Sequence, residues 1–184
     1  PGRMYSMRII AGSLKGRRLF TPKDRAIRPT SDRVRESLFS ILGARVVDAQ
    51  FLDLFCGVGA CGIEAISRGA AHVTFVDESR ESLRLVRQNL EKCGIAVQGM
   101  LVQGRIPEDL RDSMPPFHLI FADPPYAYTR YEALLAAIQE KGLLLPDGLV
   151  ILETSRACVL PDCVSSLRKS DCRVYGDTAL SFFS

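Results

Sequence analysis

Histidine is nearly absent from this chain, and the little there is does not gather around a metal. The only two, His72 and His118, sit inside apolar, strand-like runs. The six cysteines (Cys56, Cys61, Cys93, Cys158, Cys163 and Cys172) are scattered, and no Cys-x-x-Cys occurs. That distribution argues against a zinc site. It argues equally against a disulfide framework, which suits smaller secreted chains, so reduced and mostly packed thiols are expected. No apolar run approaches the length of a membrane helix, and no secretory signal is visible. The expectation is a cytoplasmic protein without membrane or metal partners. Its 184 residues are enough for one α/β domain and a small appendage.

What is present is distributed unevenly. Positions 1–50 hold 11 Lys/Arg and 4 Asp/Glu, a net charge of +7. The remaining 13 basic and 17 acidic residues give −4. A basic first segment on a slightly acidic body suggests a polyanion partner for one end only. From charge alone, a solvated basic loop explains the asymmetry as well.

Short strand-like pieces at Met7–Ala11 and Arg17–Thr21 flank a Gly12–Gly16 turn and read as a hairpin. Thr30, Ser31 and Asp32 then offer capping oxygens. Val34, Leu38, Ile41 and Leu42 recur at helical spacing, and Gly43 can end the helix. Beyond residue 50, strands and helices alternate. Strands are expected at Phe51–Phe55, His72–Val76, Gly99–Val102, His118–Ala122 and Leu149–Glu153. Helices are expected at Ile63–Arg68, Glu81–Cys93 and Arg130–Lys141. Arg173–Phe183 reads as an edge hairpin around Tyr175-Gly176-Asp177. Such alternation means βαβ units and a mostly parallel sheet. Ligands of these sheets bind beyond the carboxyl ends of the strands, which makes the strand-end residues the informative ones.

After the first strand come Asp53-Leu54-Phe55-Cys56-Gly57-Val58-Gly59-Ala60-Cys61-Gly62, in which Gly57, Gly59 and Gly62 form G-x-G-x-x-G. Asp77 ends the next strand, 20 residues after Gly57, as in the dinucleotide fingerprint. Glycines let the backbone turn tightly and approach a ligand closely. An acid at Asp77 can accept both hydrogens of a ribose diol. Asp53, beside the loop, would repel a pyrophosphate but suits a cationic ligand. S-adenosylmethionine, with a sulfonium, an ammonium and no phosphate, fits better than a nicotinamide dinucleotide. A plain turn is the alternative.

Asp123-Pro124-Pro125-Tyr126 follows the fourth strand on the same rim. Prolines force extended geometry on the residue before them and remove two amide donors. What remains is a pair of fixed acceptors, the Asp123 carboxylate and the Pro124 carbonyl. They suit the two N–H groups of a planar amine. Holding both hydrogens shifts electron density toward a nitrogen lone pair that can attack an electrophilic methyl. Tyr126 offers a flat face on which a base stacks, and alignment of nitrogen with methyl supplies the entropic part of catalysis. An exocyclic amine within a duplex must first be unstacked or flipped. A rigid strand-to-helix turn is the bland alternative.

The Asp123–Tyr126 segment, with Asp53–Gly59, resembles the amino-group class of S-adenosylmethionine-dependent methyltransferases. Over nearly its full length the chain resembles the bacterial small-subunit (16S) rRNA guanine-N(2) methyltransferase family. The residues that carry this are Arg8-Ile9-Ile10-Ala11-Gly12, Lys15-Gly16-Arg17, Arg28-Pro29-Thr30 and Asp32-Arg33-Val34-Arg35-Glu36-Ser37-Leu38-Phe39. Gly62-Ile63-Glu64-Ala65, Ser67-Arg68-Gly69-Ala70 and Tyr175-Gly176 also match. Asp-Pro-Pro-Tyr alone is shared with adenine methylases; the Arg-Pro-Thr helix and the Lys-Gly-Arg hairpin make the match specific.

The resemblance implies an α/β, Rossmann-like class I methyltransferase domain over residues 46–184. Its sheet would be mostly parallel and seven-stranded, with the last strand antiparallel. Residues 1–45 would form a small basic hairpin-plus-helix extension that contacts RNA. The cofactor would lie over Gly57 and Gly59 with Asp77 on its ribose, near Asp53, Phe55, Cys56 and Glu78. Thr30 and Arg28 would border its methionine end and the acceptor. Lys15, Arg17 and Arg18, with Arg28, would grip phosphates of 16S rRNA, free or in an assembling subunit, positioning rather than specifying. A monomer suffices. Three departures from the family pattern stand out. Gly104-Arg105-Ile106 occupies the place where an acid or Asn often meets the adenine amine, which leaves the Arg105 and Ile106 backbone to hold it. Cys56 replaces a small residue, and Asp77 stands where a Glu also serves. A DNA adenine-N(6) methylase, a nicotinamide oxidoreductase and a non-catalytic RNA-binding assembly factor remain as rivals; guanine over adenine rests on the resemblance.

Overall fold

The computed structural model describes residues 7–22 and 32–184. Among the described residues four α-helices, α1 (Asp32–Leu42), α2 (Ala60–Ser67), α3 (Arg80–Cys93) and α4 (Tyr131–Glu140), accompany eight strands. These are β1 (Gln50–Leu54), β2 (His72–Asp77), β3 (Gly99–Gln103), β4 (Phe117–Ala122), β5 (Leu144–Ser155), β6 (Cys163–Val164), β7 (Leu167–Tyr175) and β8 (Thr178–Phe183). They form one sheet in the order β3-β2-β1-β4-β5-β8-β7-β6. β1 to β5 run parallel, and β8 enters antiparallel between β5 and β7. The seven strands expected from the resemblance are β1–β5, β7 and β8; the two-residue β6 extends the β7 edge. This is the fold of class I S-adenosylmethionine-dependent methyltransferases.

Side chains alternate across a strand, and here the alternation sorts the core into two layers. Phe51, Phe75, Leu119, Phe121 and Ile151 face α1, α2 and α3. Leu52, Leu54, Ile120, Val150 and Leu152 face α4. The N-terminal hairpin closes through a single bridge, Arg8 with Arg18, and through Ile9 N–H to the Arg17 carbonyl at 2.9 Å. Its buried Ile9, Leu14 and Leu19 join the same layer as α1, so hairpin, helix and sheet share one continuous core.

Among the boundaries that differ from the sequence expectation, including β7, which begins at Leu167 rather than Arg173, two have identifiable reasons. α2 begins at Ala60, three residues early, because Gly59 at φ +81° caps it directly from the loop. A Cβ on Gly62 would lie 2.3 Å from the Phe75 ring, so the third glycine of the motif permits close helix–sheet packing. β5 begins at Leu144, with a register shift opposite Phe117–Leu119 and Asp147 at φ +63°. Its Pro146-Asp147-Gly148 punctuates like a turn, which hides the strand's first half.

The hairpin makes a few backbone bonds of its own and is fastened to the rest of the fold by buried polar groups. Glu64 on α2, fully buried, accepts from Ile10 N–H (2.9 Å) and Ala11 N–H (3.0 Å). It also pairs with Arg68 at 2.8 Å and faces Arg35 Nε at 3.7 Å. Arg35 of α1, buried as well, donates to the Arg8 carbonyl at 2.6 Å. Ser67 Oγ accepts from Leu14 N–H and donates to the Ala11 carbonyl. A Cβ on Gly12, at φ +85°, would stand 1.9 Å from the Ser67 carbonyl oxygen, so only glycine fits there.

Candidate active site

The sheet order reverses between β1 and β4, and the strand-end segments meet there. β1 lies between β2 and β4, with Leu54 opposite Val76 on one side and Ala122 on the other. The next residues therefore share one rim: the glycine loop after β1, Asp77 closing β2, Gly104–Ile106 after β3 and Asp123 after β4. This is the switch-point crevice of an open α/β sheet.

The loop turns sharply. Phe55, Gly57 and Gly59 all have positive φ (56°, 54° and 81°). Phe55 adopts this region without being glycine, an arrangement that costs energy and clusters at functional sites. Asp77 holds the loop from below: its Oδ2 accepts from Gly57 N–H at 3.0 Å and its Oδ1 from Ser79 N–H at 2.9 Å. Each carboxylate oxygen retains a second acceptor site, so Asp77 can brace the loop and still receive a hydroxyl.

A cavity of about 1380 Å³ opens on this rim. It exceeds the ~300–1,000 Å³ of an ordinary small-molecule site, leaving space for a nucleotide beside a cofactor. Phe55, Gly57, Asp77, Glu78, Arg105, Ile106, Asp123 and Pro125 all border it. Of its acids, Glu81 pairs with Arg84 and Glu108 with Arg130. The end beside the glycine loop keeps Asp77 and Glu78, an acidic wall suited to a cationic, phosphate-free ligand. The residues thus fit S-adenosylmethionine on chemical grounds.

Other expected site residues sit differently. Asp53 is buried on β1 and does not border the cavity; its Oδ2 accepts from Gly62 N–H at 2.9 Å. The strand alternation turns it to the α2 side with Phe51. Burial pushes its carboxyl well up, opposed by the Gly62 bond and reinforced by Asp123 and Asp77. Cys56 is buried, and desolvation, then Asp53 and Asp77, raise its thiol well above the usual range. A thiol kept protonated is a poor nucleophile. Arg105 spends its N–H on Asp109 Oδ2 (2.8 Å) and its carbonyl on Asp109 N–H (2.8 Å). Of the two backbone groups expected at the adenine, Ile106 N–H is the one with no partner among the described residues.

In the Asp-Pro-Pro-Tyr segment, Asp123 N–H reaches the Leu54 carbonyl at 3.4 Å, tying the segment to β1. Pro124 is buried and Pro125 exposed. The Tyr126 ring projects outward, 93 % exposed. A second tyrosine, not singled out by sequence reasoning, faces the cavity instead. Tyr128 makes edge contacts with Phe55 (5.1 Å) and Tyr131 (5.2 Å). Burial, then Cys158, Asp123 and Tyr128, push the Tyr131 hydroxyl up to about 12. Only the Tyr128 position, two residues beyond the motif, could have hinted at this cluster.

Lys15, Arg17 and Arg18 are exposed on the hairpin. Arg17 Nη1 donates to the Lys92 carbonyl at 3.3 Å. Arg28 and Thr30 lie outside the described residues.

The family described as conserved hypothetical protein 95 matches residues 7–184. The provisionally named rRNA methyltransferase YlbH of Bacillus subtilis is 35% identical over 180 residues, covering 96% of this chain and 98% of that one. Ribosomal RNA small subunit methyltransferase D of Escherichia coli is 36% identical over 157 residues, covering 84% and 78%. Among solved structures, the provisionally named methyltransferase yhhF of Escherichia coli superposes with a TM-score of 0.86 at 32% identity, covering 97% of each chain. With a switch-point crevice, a braced glycine loop and these relatives, the chain belongs to the conserved hypothetical protein 95 family, that of the small-subunit rRNA methyltransferases D.

Proposed function

We propose that this protein transfers a methyl group from S-adenosylmethionine to the exocyclic N2 of a guanine in 16S rRNA. The observation that carries the reading is the meeting of Asp123 with the Asp77-braced glycine loop on one cavity wall. The names of the relatives support rRNA as the substrate class. The amino group as acceptor rests on the Asp123–Tyr126 chemistry, and guanine on the family resemblance.

S-adenosylmethionine, when bound, supplies an electrophilic methyl. Gly57 lets the backbone approach it, while Gly59, turned toward Phe75 and Val86, lets the loop pack closely beneath; Asp77 receives its ribose hydroxyls, and Ile106 N–H is available to its adenine. Asp123 and the Pro124 carbonyl accept the two amine hydrogens and so raise the nitrogen lone pair. Asp123 can take the proton released once the N–C bond has formed. The Tyr126 ring, exposed before RNA arrives, covers the flipped base, and Tyr128 backs the cavity wall.

The test is transfer of labelled methyl to small-subunit rRNA and to partly assembled subunits lacking the modification, with digestion to nucleosides and mass spectrometry. N(2)-methylguanosine is expected. Asp123→Ala should lower kcat by about 10²–10³-fold, the scale of losing one aligned transition-state partner. Full turnover by that variant would remove Asp123 from the mechanism. Label in N(6)-methyladenosine would move the acceptor to adenine.

A further inference from the structure

Asn89 occupies an unusual place for an amide. It is fully buried on α3, distant from the strand-end motifs in sequence but not in space, and every hydrogen-bonding edge it points inward is used. Its Oδ1 accepts from Phe20 N–H at 2.6 Å. Its Nδ2 donates to the Phe20 carbonyl at 3.2 Å and to the Val58 carbonyl at 3.0 Å. Phe20 is the exit of the N-terminal hairpin; Val58 lies between Gly57 and Gly59 in the glycine loop. One side chain therefore joins the hairpin exit to the glycine loop.

Both segments are walls of the same cavity: Phe20, Thr21 and Pro22 border it on one side, Gly57 and Val58 on the other. α3 reinforces the junction. Lys92 Nζ sits 4.3 Å from the centre of the Phe20 ring, and the neighbouring Lys92 carbonyl receives Arg17 Nη1. Val86, one turn before Asn89, lies 3.2 Å from where a Gly59 Cβ would be. The helix is thus a platform on which the hairpin exit and the cofactor loop are mounted together, and Asn89 is its polar pin.

We propose that Asn89 is a positioning residue that couples the hairpin to the cofactor cavity, so that filling the cavity orders the hairpin exit and presents Lys15, Arg17 and Arg18 to the polyanion. The RNA half of this statement rests on the proposed function; the ordering half does not. A buried amide with all partners satisfied transmits strain because any shift of Val58 that lengthens one bond leaves a polar group unpaired in a dry site. Coupling between two sites is reciprocal, so RNA should in turn tighten the cofactor.

Two variants separate coupling from mere support. Asn89→Leu removes all three bonds at similar volume. Asn89→Asp keeps the acceptor for Phe20 N–H but turns both donors into acceptors facing the Phe20 and Val58 carbonyls. The first readout is hydrogen exchange of the segment 15–22 with and without S-adenosylhomocysteine. In the wild type, S-adenosylhomocysteine should slow exchange at Phe20 and Thr21. In either folded variant that slowing should vanish while S-adenosylhomocysteine affinity, by calorimetry, falls about 10-fold, the scale of an orphaned buried bond. The second readout is rRNA affinity with and without S-adenosylhomocysteine. The wild type should bind RNA more tightly with it, and the variants equally with and without it. No slowing in the wild type, or slowing that survives in Asn89→Asp, would overturn the proposal. Failure of the wild type to bind RNA under either condition would instead sink the RNA reading, and the exchange result would decide the pin by itself. Should Asn89→Leu not fold, Asn89→Asp carries the test.

Discussion

At the scale of single residues, charge placement decides what each acid does. Asp77 and Asp53 lie on adjacent strands and both hold a glycine N–H, yet Asp77 borders the cavity and Asp53 is sealed beneath α2. The raised Asp53 carboxyl has a consequence for stability. A group whose folded pKa lies above its unfolded value binds its proton more tightly in the folded state. Its contribution is complete below the unfolded value, near the usual 3.8, and is lost as pH rises through the folded pKa. Asp53→Asn keeps an acceptor for Gly62 N–H but cannot ionise. Denaturant melts across pH should show the variant gaining on the wild type as pH rises above 4; parallel pH profiles would show that Asp53 ionises freely in the fold. Tyr126 carries a second expectation. A ring this exposed contributes little to folding, so Tyr126→Ala should keep the wild-type melting temperature within a degree or two while lowering turnover on RNA. A large drop in melting temperature would mean that the ring packs rather than stacks on a substrate.

At the scale of elements, the N-terminal hairpin is the informative case. Beyond its few backbone bonds it is held by α2 through Glu64 and Ser67, by α1 through Arg35 and by α3 through Asn89. Gly12→Ala introduces strain at positive φ and a collision with the Ser67 carbonyl. Loss of roughly 3 kcal/mol or more is expected by chemical denaturation. Glu64→Ala removes the carboxylate beside buried Arg35 Nε, leaving that guanidinium only its pair with half-exposed Asp32, and leaves two hairpin N–H groups unpaired. Breaking such a buried pair costs about 3–5 kcal/mol. If either variant melts like the wild type, the hairpin does not depend on this dock. The sequence carried the hairpin through Gly12 and Gly16 and carried α3 as Glu81–Cys93 before Gly94; the Ser79 cap that starts it at Arg80 came only with the structure. It did not carry the Glu64 dock, because contacts more than 50 positions apart leave no local period.

At the scale of the whole molecule, charge asymmetry and cavity position come together. Arg17, one of the exposed cations of the hairpin, is tied to the same α3 that borders the cofactor cavity. Replacing Lys15, Arg17 and Arg18 by Ala should weaken RNA binding at low salt. The slope of log affinity against log salt should fall by about 1 for each phosphate contact removed. Methyl transfer to saturating RNA should be less affected, since none of the three belongs to the catalytic rim. An unchanged salt slope would assign the basic face to some other role. Among the described residues no helix is long and apolar enough to cross a membrane.

What the sequence by itself determined were the features written in short-range chemistry. Glycines at fixed offsets made the loop, an acid closed the second strand, two prolines stiffened the end of the fourth, and alternating apolar periods set the parallel sheet. These survive because φ preferences and side-chain period act over a few residues. Only the tertiary structure decided which face of β1 Asp53 would take, that Arg105 would spend its amide on Asp109, that Tyr128 would border the cavity while Tyr126 faced outward, and that Asn89 would pin Phe20 to Val58. Each of these depends on which backbone group arrives opposite a side chain after the sheet has assembled, and a buried polar group accepts whichever partner that packing brings within hydrogen-bonding distance.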